Sequence, residues 1–237
     1  MTLKSNIGRT IGIALLVQMA TALILPFVLI GSIVKGYPDY LESAAAASGQ
    51  VRLGIVVGFV GMAFTLYLGV SMFPILKEHS RRAALWFLAV CVVSCTLDLV
   101  HNGTVLSMLS ASERFAAAGG RDDAIYRAWG ITAASMRRSV HVMQLVAIAA
   151  WMMSFYVANC RFRLTPRLFS VLGIGGVASQ FTGVTAMMLL GYPTIGFLAM
   201  ILAPIHAATA IWLIVKGFPR NSTSAGKEQL PNYVAHE

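Results

Sequence analysis

The stretch AALWFLAVCVVSCTLDLVHNGTVLSML runs from Ala83 to Leu109 and carries a single charged side chain, Asp98. Arg81 and Arg82 stand just before it. At ~1.5 Å of rise per residue, a helix of this length exceeds the ~30 Å of hydrocarbon in a bilayer. Cys91, Ser94, Cys95, Asp98, His101 and Asn102 recur at spacings of three and four, so they share one helix face. The segment reads as a membrane span with a polar stripe.

The pattern repeats on both sides of this stretch. Apolar runs extend over Ile7–Val34 and Leu53–Leu76, between Arg138 and Arg161, from Arg167 to near Leu190, and over Ile195–Val215 ahead of Lys216. Composition agrees: 57% of the 237 residues are hydrophobic and 11% charged, where soluble domains carry about 25% charged residues. The predicted fold class is therefore all-α, a polytopic membrane bundle of six transmembrane helices. Residues 1–218 are expected to form one domain, and 219–237 a polar, disordered cytoplasmic tail. The first run is far longer than the ~7–15 residues of a signal-peptide core and is expected to stay as an anchor.

With the N-terminus inside, Lys77, Arg81, Arg82, Arg161, Arg163 and Arg167 crowd the short cytoplasmic turns. The bases expected outside are Lys35, Arg52, Arg114, Arg121, Arg127, Arg137 and Arg138, five of them in or directly after one long loop. Short loops weigh most in the positive-inside rule, so both termini are expected in the cytoplasm. The formal charge of +9 is accounted for by these flanking bases, and nucleic acid is not an expected partner. The outer loop, Ser110 to Met136, contains Gly119-Gly120 as a helix breaker and Asp122-Asp123 as a helix start. Ile125, Trp129 and Met136 then alternate with arginines, as expected of an amphipathic segment at headgroup level or of a plain extension of span four.

Gly54, Gly58 and Gly61 form a stripe on span two, and Gly173, Gly176 and Gly183 another on span five. Small residues at this spacing bring helices close in lipid, either within the bundle or across a homodimer.

Several motifs are similar to those of an uncharacterised family of six-helix bacterial membrane proteins, a domain of unknown function. They are Gln50-Val51-Arg52-Leu53-Gly54, Leu76-Lys77 with Arg82-Ala83-Ala84-Leu85, Leu164-Thr165-Pro166-Arg167-Leu168, and Trp212-Leu213-Ile214-Val215-Lys216-Gly217. His141 resembles a histidine the family carries early in its fourth span, whereas His206 stands where the family often has an acid. The resemblance implies six spans in a bacterial inner membrane and no particular activity.

Ionisable side chains inside hydrocarbon cost roughly 2.5–3.5 kcal/mol on insertion scales, so each asks for a partner. The spans hold Asp98, His101, His141 and His206, with the amides Gln18, Asn102, Gln144 and Gln180. Counted along their helices, Gln18, Asp98, Gln180 and His206 fall near mid-bilayer and the others nearer the outer surface. This predicts a polar column opening outward.

Three readings follow. The first is interhelical hydrogen bonding without a ligand. The second is a pocket that binds or moves a proton or a small amphipathic molecule, centred on Asp98 paired with His206 or His101. The third is a membrane enzyme or redox protein in which Asp98, His101, His141 and His206 ligate a metal, or two histidines hold a haem. No His-x-x-x-His, Glu-x-x-His or Cys-x-x-Cys spacing supports the third, and no Gly-x-Ser-x-Gly elbow supports a serine hydrolase.

Overall fold

The computed structural model describes residues 3–31, 33–34, 39–120, 124–190 and 197–219, and every regular element among them is helical. The elements are α1 (Leu3–Ile24), which runs into one π-helical turn over Leu25–Leu29, then α2 (Asp39–Ala46), α3 (Ser48–Lys77), α4 (Arg81–Ala117), α5 (Ala124–Phe162), α6 (Arg167–Leu190), α7 (Phe197–Met200) and α8 (Leu202–Lys216). Four helical stretches are long and apolar enough to cross a membrane: Asn6–Leu29, Ser48–Lys77, Arg81–Ala117 and Ala124–Phe162. Many of their large apolar side chains, Trp86, Val70 and Phe27 among them, face outward. The chain is thus a membrane-embedded helix bundle, in which each helix satisfies its own backbone.

Local chemistry sets the helix ends. Ser80 sits in extended conformation and its Oγ accepts the Ala83 N–H at 3.3 Å, capping α4. Gly119 and Gly120 have φ of 80° and 70° and end the α4 region, a left-handed pair that side chains resist.

The neighbours form a closed ring. α1 packs on α3, α3 on α4, α4 on α5, α5 on α6, α6 on α8, and α8 returns to α1. The α1–α8 seam is close because of Gly12, where an added Cβ would lie 2.6 Å from the Ala210 carbonyl oxygen. The two glycine stripes serve the same purpose. Gly54 meets Ile30, Gly58 meets Asn102, Gly173 meets the Tyr156 ring and Gly176 meets Leu202, all inside the bundle.

Two apolar clusters fill the ring at opposite ends. One gathers Ile11, Leu15, Met72, Phe87, Trp151 and Phe155 at the Lys77–Arg81 end. The other gathers Ile30, Tyr40, Val51, Met108 and Phe115 at the Gly119 end. There the short helix α2 lies across α4. Ser112 Oγ donates to the Leu41 carbonyl at 2.7 Å and accepts the Ala45 N–H at 2.7 Å, and Tyr40 donates to the Gly130 carbonyl at 3.3 Å. Between the clusters lies a polar level.

Two expectations are revised and, for a third segment, one of two alternatives is selected. Span three does not stop at Leu109: α4 continues to Ala117, because residues 110–117 can hydrogen-bond along the helix after leaving hydrocarbon. Residues 124–136 are the first turns of one unbroken 39-residue α5, which is the plain extension of span four given as one of the two expectations for them. The Ile7–Val34 run is not uniform α-helix. It switches to a π turn at Pro26, which has no N–H to give, and Gln50 Nε2 donates to the Val28 and Leu29 carbonyls at 3.1 and 3.0 Å. The Asp122-Asp123 helix start, Lys35, the Ile195 start of the last run and tail residues 220–237 lie outside the described residues.

Candidate functional site

A cavity of about 390 Å³ occupies the polar level. α4 contributes Asp98, His101 and Asn102 to its wall, and α5 contributes His141 and Gln144. Gln18 comes from α1, Gln180 from α6 and His206 from α8. All eight polar residues singled out in the sequence therefore face one space. Helical periodicity is the cause: positions three and four apart share a face, and the ring turns those faces inward.

The best-connected group is a chain of three side chains. Gln144 Nε2 donates to Asp98 Oδ1 at 2.6 Å, and Gln144 Oε1 faces His141 Nδ1 at 3.0 Å. Because the amide spends its N–H on the carboxylate, its oxygen must accept, so His141 carries a proton on Nδ1. The His101 and His141 rings lie 5.1 Å apart between centroids and 39° from parallel. Deeper in the bundle, His206 Nδ1 lies 3.0 Å from the Tyr156 hydroxyl, and the Trp151 ring meets it edge-on with centroids 6.3 Å apart.

Asp98 thus pairs differently from expectation. Its partner is the Gln144 amide on the facing helix, and His206 is engaged by Tyr156. An amide can reach across two adjacent helices at the same level, whereas His206 belongs to α8, which is not a neighbour of α4 in the ring. Arg137 lines the same cavity.

The metal reading loses its geometric basis. Among the described residues, which include Asp98, His101, His141 and His206, no three of His, Cys, Asp or Glu converge to hold a metal ion. The His101 and His141 rings are too close for a macrocycle to lie between them. Cys91 is a packing residue of the cluster at the Lys77–Arg81 end, and the Cys95 thiol donates to the Met62 carbonyl at 3.5 Å.

The family model described as Domain of unknown function (DUF4386) matches residues 10–217. The chain belongs to this family. No curated protein and no solved structure matches it. In this DUF4386 chain the matched region includes every wall residue of the cavity, from Gln18 to His206.

Arg137 stands one turn before His141 on the same face, and the sequence reading placed it on that stripe with His141 and Gln144 without naming it among the pocket residues. One further side chain escaped the sequence reading. Tyr156 gave no signal, being one aromatic among many in an apolar run. The sequence reading weighed a Met-rich pocket without assigning residues to it. The structure supplies an apolar wall in Met19, Met62, Leu145, Ile148 and Met152.

Proposed function

We propose that the chain is a multi-pass protein of the bacterial inner membrane, one six-span domain with both termini in the cytoplasm, and that its cavity binds or moves a small amphipathic molecule. The ring of α1, α3, α4, α5, α6 and α7–α8 supports six spans. α6 has 24 residues, about 36 Å of helix and enough to cross. In the first turns of α5, Ile125 and Trp129 are exposed and the Arg114 guanidinium lies 5.8 Å from the centre of the Trp129 ring, which fits headgroup depth on the outer side.

One observation carries the binding reading. Six buried side-chain polar atoms of the cavity wall have no hydrogen-bond partner among the described residues: Gln18 Oε1, both ring nitrogens of His101, Asn102 Nδ2, Arg137 Nε and His206 Nε2. Leaving such a group unmatched costs about 1–3 kcal/mol. Polar groups kept only to tie helices together would be matched with each other. The residues that carry these six atoms all line one shared space.

The second half of the sequence reading, a proton path, is less favoured by the same geometry. The contact from His141 to Asp98 runs through an amide, which transmits orientation but does not exchange protons readily. Asp98 then acts as a polar anchor in the wall. The reading is tested by replacing the native cysteines, introducing His101→Cys, and treating intact cells with a small membrane-impermeant thiol reagent. Modification from outside is expected. A residue that reacts from neither side of the membrane, in cells or in lysate, would remove the reading.

A further inference from the structure

We infer that the cavity takes a single-chain amphiphile with an anionic oxygen head, the head held by Arg137, His101 and Asn102 and the chain leaving toward lipid past Leu23, Phe27 and Met200. This rests on the binding reading above and names its ligand class.

The sense of the unmatched groups decides the head. Arg137 Nε and Asn102 Nδ2 are donors only, and a neutral His101 supplies one further N–H. Arg137 is a permanent cation. The Nδ1 proton of His141 is committed to Gln144, which leaves Nε2 of the neutral ring as an acceptor beside the guanidinium. A set of donors around a guanidinium matches a carboxylate or phosphate oxygen and repels an ammonium head.

Position agrees with sense. His101 and Asn102 lie one turn along α4 beyond Asp98, and Arg137 lies two turns along α5 from Gln144, on the same side. Negative charge on the ligand therefore rests near the donors and away from the one carboxylate. Two unmatched acceptors remain: the unprotonated ring nitrogen of His101, and Gln18 Oε1, which belongs to a different wall.

The chain's route follows from exposure. Leu23, Phe27 and Met200 line the cavity and are 39%, 71% and 60% exposed. The cavity therefore reaches the outer face of the bundle where the π turn after α1 stands near α7. All three rim side chains are apolar, so the opening suits an acyl chain already in the leaflet. A volume of about 390 Å³ lies at the lower end of the ~300–1,000 Å³ usual for ligand pockets. That accommodates a head and the start of a chain.

The experiment measures binding of palmitate, hexadecyl phosphate, hexadecanol and hexadecylamine to the full chain in phosphatidylcholine nanodiscs. Palmitate or hexadecyl phosphate is expected to bind about 10-fold or more tightly than hexadecanol, with hexadecylamine weakest. Whichever anionic probe is tighter tells a carboxylate head from a phosphate head. Arg137→Gln should lower the anionic probes to the level of hexadecanol and leave hexadecanol unchanged. Asn102→Asp, nearly isosteric, should reverse the order in favour of hexadecylamine. Palmitate binding unaffected by both substitutions overturns the inference. If His101→Cys is labelled but hexadecylamine binds as well as palmitate, only the anionic head is wrong. If no probe binds and His101→Cys stays unreactive, the binding reading itself has failed.

Discussion

Replacing Gln144 with leucine tests the geometry of the cavity wall most directly. The substitution roughly preserves volume and removes both hydrogen bonds of the amide, the 2.6 Å bond to Asp98 and the 3.0 Å contact with His141. In soluble proteins a bond to a charged group contributes about 1.5–3 kcal/mol and a neutral one about 0.5–1.5 kcal/mol. In membrane bundles side-chain couplings average nearer 0.6 kcal/mol and reach about 1.7, because unfolded helices in lipid find other partners. Asp98, Gln144 and His141 are half-buried beside an open cavity, which argues for the lower figures. Gln144→Leu is therefore expected to destabilise by about 1–3 kcal/mol. The assay is reversible unfolding in mixed micelles, run as a double-mutant cycle with Asp98→Asn. A coupling of about 0.6–1.7 kcal/mol between the two positions is expected. A coupling within about 0.3 kcal/mol of zero would refute the Asp98–Gln144 contact and the arrangement of α4 and α5 built on it.

Two further outcomes can be measured. Gly12→Leu should abolish stable insertion, and Gly12→Ala should cost about 1–3 kcal/mol in the same unfolding assay, because a Cβ there meets the Ala210 carbonyl at 2.6 Å; an unchanged Gly12→Ala would mean that α1 and α8 are not in contact. For topology, Ala118→Cys in a cysteine-free chain is the informative site, since Ser112 is fully buried against α2 and Ala118 is exposed at the Gly119-Gly120 turn. Labelling of Ala118→Cys in intact cells by an impermeant reagent is expected, and labelling only after lysis would invert the orientation.

The helices were legible because the membrane makes their code simple. A long apolar run between basic residues has few other structures available to it, and Arg81-Arg82 before Ala83 marks a start without ambiguity. The wall of the cavity was legible for a related reason. Polar residues are so costly in hydrocarbon that His101, His141 and Gln144 must face inward, and their spacing put each on an inner stripe. What sequence could not provide was the order of helices around the ring. Pairing Asp98 with His206 assumed α4 and α8 to be neighbours, while the ring separates them by α5 and α6. The end of α4 beyond Leu109 was also hidden, because residues 110–117 carry no hydropathy signal for a helix that merely continues. α2 was missed altogether. Its eight residues are too few and too polar to register, and it is held by contacts from distant positions, Ser112 and Gly130.

The amide of Gln144 also constrains what the carboxylate can do. Its two ends are not interchangeable once Asp98 accepts from Nε2, so one hydrogen bond on α4 fixes the proton position on a histidine of α5. With its Nδ1 proton held by Gln144, a neutral His141 presents Nε2 as an acceptor. An amide cannot hand a proton from one neighbour to the other without leaving its stable tautomer. Asp98 and His141 are therefore coupled in orientation and separated in proton exchange. Any proton that reaches Asp98 must come through the cavity, and so through whatever occupies it. On the proposed binding reading, a change at Asp98 on occupancy would be transmitted through Gln144 to the orientation of His141.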